Sequence, residues 1–160
     1  MQFLSGKCSL GMIISNKCYY GLKAMIELAL REGQGPITIG EIARAQGIPV
    51  RFLEAILRQL KQAGYADSIR GKEGGYVIAK EPTFVRLGDL ILFFEGPLMA
   101  VSPSATAHES ASPTPIPDVL SPIWKRAEKS LLDVLSSYSL QDLVEMERAR
   151  NSSEAMNYTI

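Results

Sequence analysis

Residues 38–64, TIGEIARAQGIPVRFLEAILRQLKQAG, hold two helix patterns joined by one tight break. Thr38 stands three residues before Glu41. That is the spacing of a capping box, in which hydroxyl and carboxylate each satisfy a backbone N–H at a helix start. Gly47 ends this helix. Pro49 suits the first turn of the next, where its missing N–H costs nothing. Leu53, Ile56, Leu57 and Leu60 recur every three or four residues, the face this helix buries, and Gly64 closes it. Two helices joined so tightly form a helix-turn-helix. Another helix pattern precedes them over residues 17–32, with Leu22, Met25, Ile26 and Ala29 on one face. Gly33 and the Gly35-Pro36 pair stop it.

The next stretch, SIRGKEGGYVI (68–78), places three glycines and two cations between β-prone segments. A hairpin after a helix-turn-helix is a wing. The expected fold class is therefore mainly α: a winged helix-turn-helix domain with a two-stranded β wing and a long C-terminal dimerisation helix. Gly71, Gly74 and Gly75 tolerate positive φ and let backbone approach a partner closely. Arg70 and Lys72 at the tip can reach a phosphate backbone or a narrow minor groove.

Beyond the wing, VRLGDLILFFEG predicts a short apolar helix ended by Gly96-Pro97. Residues 97–117 are rich in proline and serine and read as a flexible connector. A long helix follows from Asp118 to Tyr138, and Ser139 with Asp142 resembles a second capping box opening a last helix. The expected division is an N-terminal extension over 1–11, the winged domain over 12–96, the connector, dimerisation helices over 118–147 and a tail over 148–160. Met12 opens a more ordinary start than the eleven residues before it. The long helix carries Ile123, Trp124, Ala127, Leu131, Val134 and Leu135, more apolar surface than a small winged domain covers. Packing within one chain is the plain explanation. A homodimer is favoured because readers of duplex DNA present two recognition helices about one helical turn apart.

The formal net charge is zero, but its distribution is not even. Met12 to Lys80 hold ten Lys/Arg against six Asp/Glu, and Glu81 to Ile160 hold six against eleven. A basic half suits a polyanion and an acidic half another task. Cys8 and Cys18 are too few for a disulfide framework and read as free cytoplasmic thiols. No apolar run reaches the ~18 residues of a membrane span, and the first residues lack a signal-peptide pattern. There is no P-loop, no CxxC and no metal-ligand spacing. His108 is the single histidine and lies in the connector. The chain is expected to be neither an enzyme nor a holder of metal or cofactor.

SNKCYYGLKAMIELA, GPITIGEIARAQGIPVRFLEAILRQLKQAGY, SIRGKEGGYVIAKEP and LGDLILFFEGP together resemble the Rrf2 family of bacterial winged-helix regulators, most closely its cysteine metabolism repressor subgroup. The likeness covers about Met12 to Pro97 well and Pro122 to Val144 loosely. It implies a homodimer on an imperfect palindrome of double-stranded DNA, with the second helix of the motif in the major groove and the wing in the minor groove. Carried over by position, Arg51, Phe52 and Glu54 face bases, with Arg70 in the wing. The chemistry agrees: Arg51 can donate two hydrogen bonds to guanine, and Glu54 can accept from a cytosine amino group. Arg58 and Lys61 would meet phosphates. Lys17, Thr38, Gly71 and Lys72 complete the expected DNA-binding set. A plainer role for Glu54 is an i,i+4 pair with Arg58 on a solvated face. Cys18-Tyr19 stands where the family often has Gly-Arg, so one backbone cation is absent.

Family members that hold an iron–sulfur cluster carry three cysteines in the connector, whereas residues 97–117 here have none and Ser121 stands about where a histidine ligand would be. Clusters are held by thiolates, so the resemblance implies a member without one. It also implies a link to sulfur supply. Cysteine synthase accepts peptides ending in isoleucine, and Tyr158-Thr159-Ile160 offers a carboxylate and an aliphatic side chain to such a pocket. The expected protein is a cytoplasmic regulator, a repressor of cysteine metabolism signalled through that enzyme. Two rivals stand beside it. Cys18 near the DNA face could oxidise and release DNA. Alternatively, the winged domain could be an adaptor that contacts protein.

Overall fold

A computed structural model of the chain describes residues 14–98 and 119–157. Cys8, the extension over 1–11, His108, most of the connector and Tyr158-Thr159-Ile160 lie outside them.

The first helix, α1 (Asn16–Leu30), starts where Ser15 accepts from the Cys18 amide at 3.1 Å. It turns Cys18, Ala24, Met25, Leu28 and Ala29 into the core. The second, α2 (Ile39–Gln46), opens on the full capping box expected at Thr38 and Glu41. The Thr38 hydroxyl and amide hold the Glu41 carboxyl below its usual range. Gly47 ends α2 in the left-handed region, φ 64°, where a side chain would be strained. The third helix, α3 (Val50–Gln62), buries Leu53, Ile56, Leu57 and Leu60, each stabilising by about 2 kcal/mol. Pro49 is not its first residue but its N-cap, and its carbonyl accepts from Phe52 and Leu53.

The wing pairs β1 (Ala66–Ile69) with β2 (Gly75–Ile78) antiparallel, Ala66 opposite Ile78 and Ile69 opposite Gly75. Tyr76 pairs on its other side with Ile37, through two backbone bonds of 2.8 and 2.9 Å. The wing is thus sewn to the segment that enters α2. A 3-10 turn at Pro82–Phe84 leads into α4 (Leu87–Glu95). Gly21 lets α4 close on α1, since a methyl there would sit 2.2 Å from the Phe94 ring.

The expected long helix is shorter, α5 (Ser121–Ser136). The last, α6 (Leu140–Asn157), runs past residue 147 through most of the expected tail. Ser139 and Asp142 exchange the bonds of the second capping box: the Ser139 amide donates to the Asp142 carboxylate at 2.7 Å and the Asp142 amide to the Ser139 hydroxyl at 3.2 Å. Leu140 and Val144 are fully buried, and α6 packs back on α1. So α6 joins the core of its own chain, whereas α5 buries no residue.

Candidate nucleic-acid interface

The amphipathic pattern of α3 decides what it shows. With its leucines and Ile56 inside, Arg51, Phe52, Glu54 and Arg58 are all exposed. Residues 51, 54 and 58 are spaced as neighbours along one stripe. The Arg51 guanidinium stacks on the Phe52 ring, 4.8 Å to its centroid, and Phe52 leans on Tyr20 at 6.4 Å. Stacking preorganises Arg51 while leaving its donors free for a planar acceptor pair. The i,i+4 pair of Glu54 with Arg58 does not form. Among the described residues neither side chain has an ion-pair partner, so both remain available.

Asn16 and Lys17 of α1 border a shallow recess with Phe52, Ala55 and Gln59 of α3. Lys17 is therefore placed beside the exposed face of α3. At the other end the Lys61 ammonium hydrogen-bonds Ser68 of β1, tying α3 to the wing. Arg70, Gly71 and Lys72 form the exposed tip, and neither cation is ion-paired among the described residues. A strip of positive charge thus runs from the start of α1 across α3 to the wing.

Three expectations change. Only Gly71 of the wing glycines has positive φ, 125°. Gly74 and Gly75 are needed because a methyl would lie 2.5 Å from the Ile69 carbonyl oxygen and 2.4 Å from that of Ile37. The close approach is to the protein's own backbone, not to a partner. Thr38 is exposed, but its hydroxyl donates to Glu41 at 2.7 Å and accepts from the Glu41 amide at 3.3 Å. Its proton is spent on the cap. Cys18 is not on the outer face at all: it is 0% exposed.

Burial first, then the Glu95 charge and a hydrogen bond to that carboxylate, push the Cys18 thiol from 9.0 to about 12. The thiolate is the reactive form, so burial and the raised pKa both count against Cys18 as a redox sensor. Because the folded state raises this pKa, stability is full below about 9 and declines as pH climbs toward 12. Native protein at pH 8 should alkylate at Cys18 far more slowly than protein in urea, as peptide mapping reads. Equal rates would contradict the burial. The roles of Tyr20 and Ser68 were not anticipated. Both act across tertiary contacts, and no local signal marks them.

The chain has two cysteines, of which Cys18 is fully buried, fewer than the three or four thiolates that hold an iron–sulfur cluster. Among the described residues no group of three or more His, Cys, Asp or Glu is arranged to hold a metal. No described helix is long and apolar enough to cross a membrane.

A helix-turn-helix with a tethered wing and an exposed cationic face defines a winged-helix DNA-binding regulator of transcription. The comparisons with known proteins agree. The family model Rrf2, described as iron-dependent transcriptional regulator, matches residues 14–146. The HTH-type transcriptional regulator CymR of Bacillus subtilis is 37% identical over 132 residues, 82% of this chain and 89% of CymR. Its solved structure superposes with a TM-score of 0.66 at 36% identity, covering 84% of this chain and 97% of that one. IscR of T. potens gives 0.68 at 31% identity, covering 86% and 89%. The chain belongs to the Rrf2 family.

Proposed function

We propose that the chain acts as a cytoplasmic homodimer that represses genes of sulfur and cysteine metabolism, without an iron–sulfur cluster. The observation that carries the dimer is the bare face of α5. Ile123 is 59% exposed, Trp124 37% and Val134 60%, Ala127 is exposed, and Leu131 and Leu135 are half-buried. So much aromatic and branched apolar surface on one helix marks an association site. A second copy of α5 covers it and sets two α3 helices on one palindrome. The likeness to CymR, described as the global cysteine regulator of B. subtilis, supports the sulfur assignment. Sedimentation of wild type against Trp124→Glu/Val134→Glu tests the assembly: a monomeric double variant is expected, and a monomeric wild type would end the reading.

Arg70, Lys72, Arg58, Lys61 and Lys17 position the duplex through phosphate, while Arg51, Phe52 and Glu54 read bases. Arg70→Ala should weaken binding to every sequence alike. Glu54→Ala should relax preference at one position, by about 1–3 kcal/mol of discrimination. Binding across a library of operator variants measures both, and a uniform loss in both variants would remove the division between positioning and reading.

The signal is assigned to cysteine synthase, docking on Tyr158-Thr159-Ile160. Titration into that enzyme, followed by its pyridoxal phosphate fluorescence, should saturate with the full chain and fail without Ile160. No response from the full chain would remove the enzyme as partner.

A further inference from the structure

A cleft of about 570 Å³ opens between α1, α2 and α6, on residues given no role so far. Its volume is that of a small-molecule site. Leu22 and Ile26 of α1, Leu87, and Leu143 of α6 supply apolar walls. Its charged groups are Lys23, Glu147 and Arg150. Arg150 grips both oxygens of Glu147, at 2.6 and 3.1 Å, and Lys23 adds a weaker through-space attraction to the same carboxylate.

Lys23 is in a different position. Its ammonium donates to the Gln46 carbonyl at 2.7 Å and stands 5.3 Å from the Tyr19 ring centroid. Among the described residues it makes no direct ion pair, the Glu147 carboxylate acting on it only at a distance. An ammonium has three protons to donate, and the carbonyl takes one. A half-buried cation with donors left, beside apolar walls, is a site for an anion that also has an apolar part.

We propose that this cleft binds a small organic carboxylate, its anion on Lys23 and its short aliphatic body against Leu22, Ile26 and Leu143. Gln46 is the last residue of α2, directly before the turn at Gly47. A ligand that draws Lys23 away from the Gln46 carbonyl therefore acts on the link between the two helices of the DNA-binding motif. The site is distinct from the α5 face and from the chain terminus, and it does not depend on the identity of the regulated genes.

The test uses three four-carbon probes on the full chain, read by two-dimensional amide spectra: butanoate, L-2-aminobutanoate and butylammonium. Saturable shifts are expected from butanoate or L-2-aminobutanoate, clustered in residues 19–26, 45–48 and 143–150, and none from butylammonium. Butanoate alone would mean a simple acid, and L-2-aminobutanoate alone an amino acid. Lys23→Met should weaken the response by about tenfold or more, since a charge-assisted bond is lost. No saturable shift with either carboxylate would overturn the proposal. So would equal binding of butylammonium, the same shifts from sodium chloride, or an undiminished response in Lys23→Met.

Discussion

Raising salt from about 50 to 200 mM should weaken binding to duplex DNA by roughly a thousandfold, the loss expected for about six phosphate contacts. One copy of the chain presents five phosphate-facing cations, Lys17, Arg58, Lys61, Arg70 and Lys72, at exposed positions, and the second copy proposed above brings the count to six or more. Each phosphate neutralised releases condensed counterions, and added salt opposes that release. The prediction survives the overall neutrality of the chain because distant charges are screened within about 10 Å at ~0.1 M salt. Anisotropy titration at several salt concentrations reads the slope directly. An affinity that hardly changes would instead favour the adaptor reading, in which the winged domain meets a protein.

Gly75→Ala should cost about 3 kcal/mol of stability and loosen the wing. The added methyl would lie 2.4 Å from the Ile37 carbonyl oxygen and 2.6 Å from its carbon. Both are backbone atoms, so no side chain can rotate away. The two bonds between Ile37 and Tyr76 must open or the strand must shift, and each lost bond leaves polar groups unmatched. Gly40→Ala is the contrast. Gly40 lies in α2 with nothing within 4 Å of an added methyl, so this change should stabilise by about 0.5–1 kcal/mol. Urea unfolding compares the pair. Equal effects would mean the Ile37–Tyr76 seam does not anchor the wing.

The helix-turn-helix was legible because its signals are local. Thr38 with Glu41, Gly47, Gly64 and the four apolar positions of α3 each act within one turn of chain. The exposed residues of α3 followed from the same pattern, since what is not buried on an amphipathic helix faces out. What escaped depends on contacts between distant segments. Gly75 looks like a flexible loop residue until Ile37 is found against it. Lys61 reads as a free cation until Ser68 is seen to hold it. Cys18 sits beside exposed Lys17 and Tyr19 in sequence, yet one step around the helix carries it to the interior. The boundary between α5 and α6 was visible at Ser139, but that α6 and not α5 enters the core was not. Both carry apolar residues at helical spacing, and only the packing of Leu140 and Val144 decides it.

The return of α6 onto α1 bears on how such a chain can be rearranged. Leu140 donates to the Val85 carbonyl at 2.8 Å, and Leu87 to that of Tyr138 at 2.9 Å. The last helix therefore closes a seam left open by the first eighty-odd residues. A fragment cut after α4 would leave Val85 without Leu140 and would uncover Leu22 and Ile26 of α1 beside Leu143. The DNA-reading part is thus not a detachable cassette. A new signal-receiving segment must be grafted so that both halves of this seam, residues 85–87 and 138–140, stay in the chain.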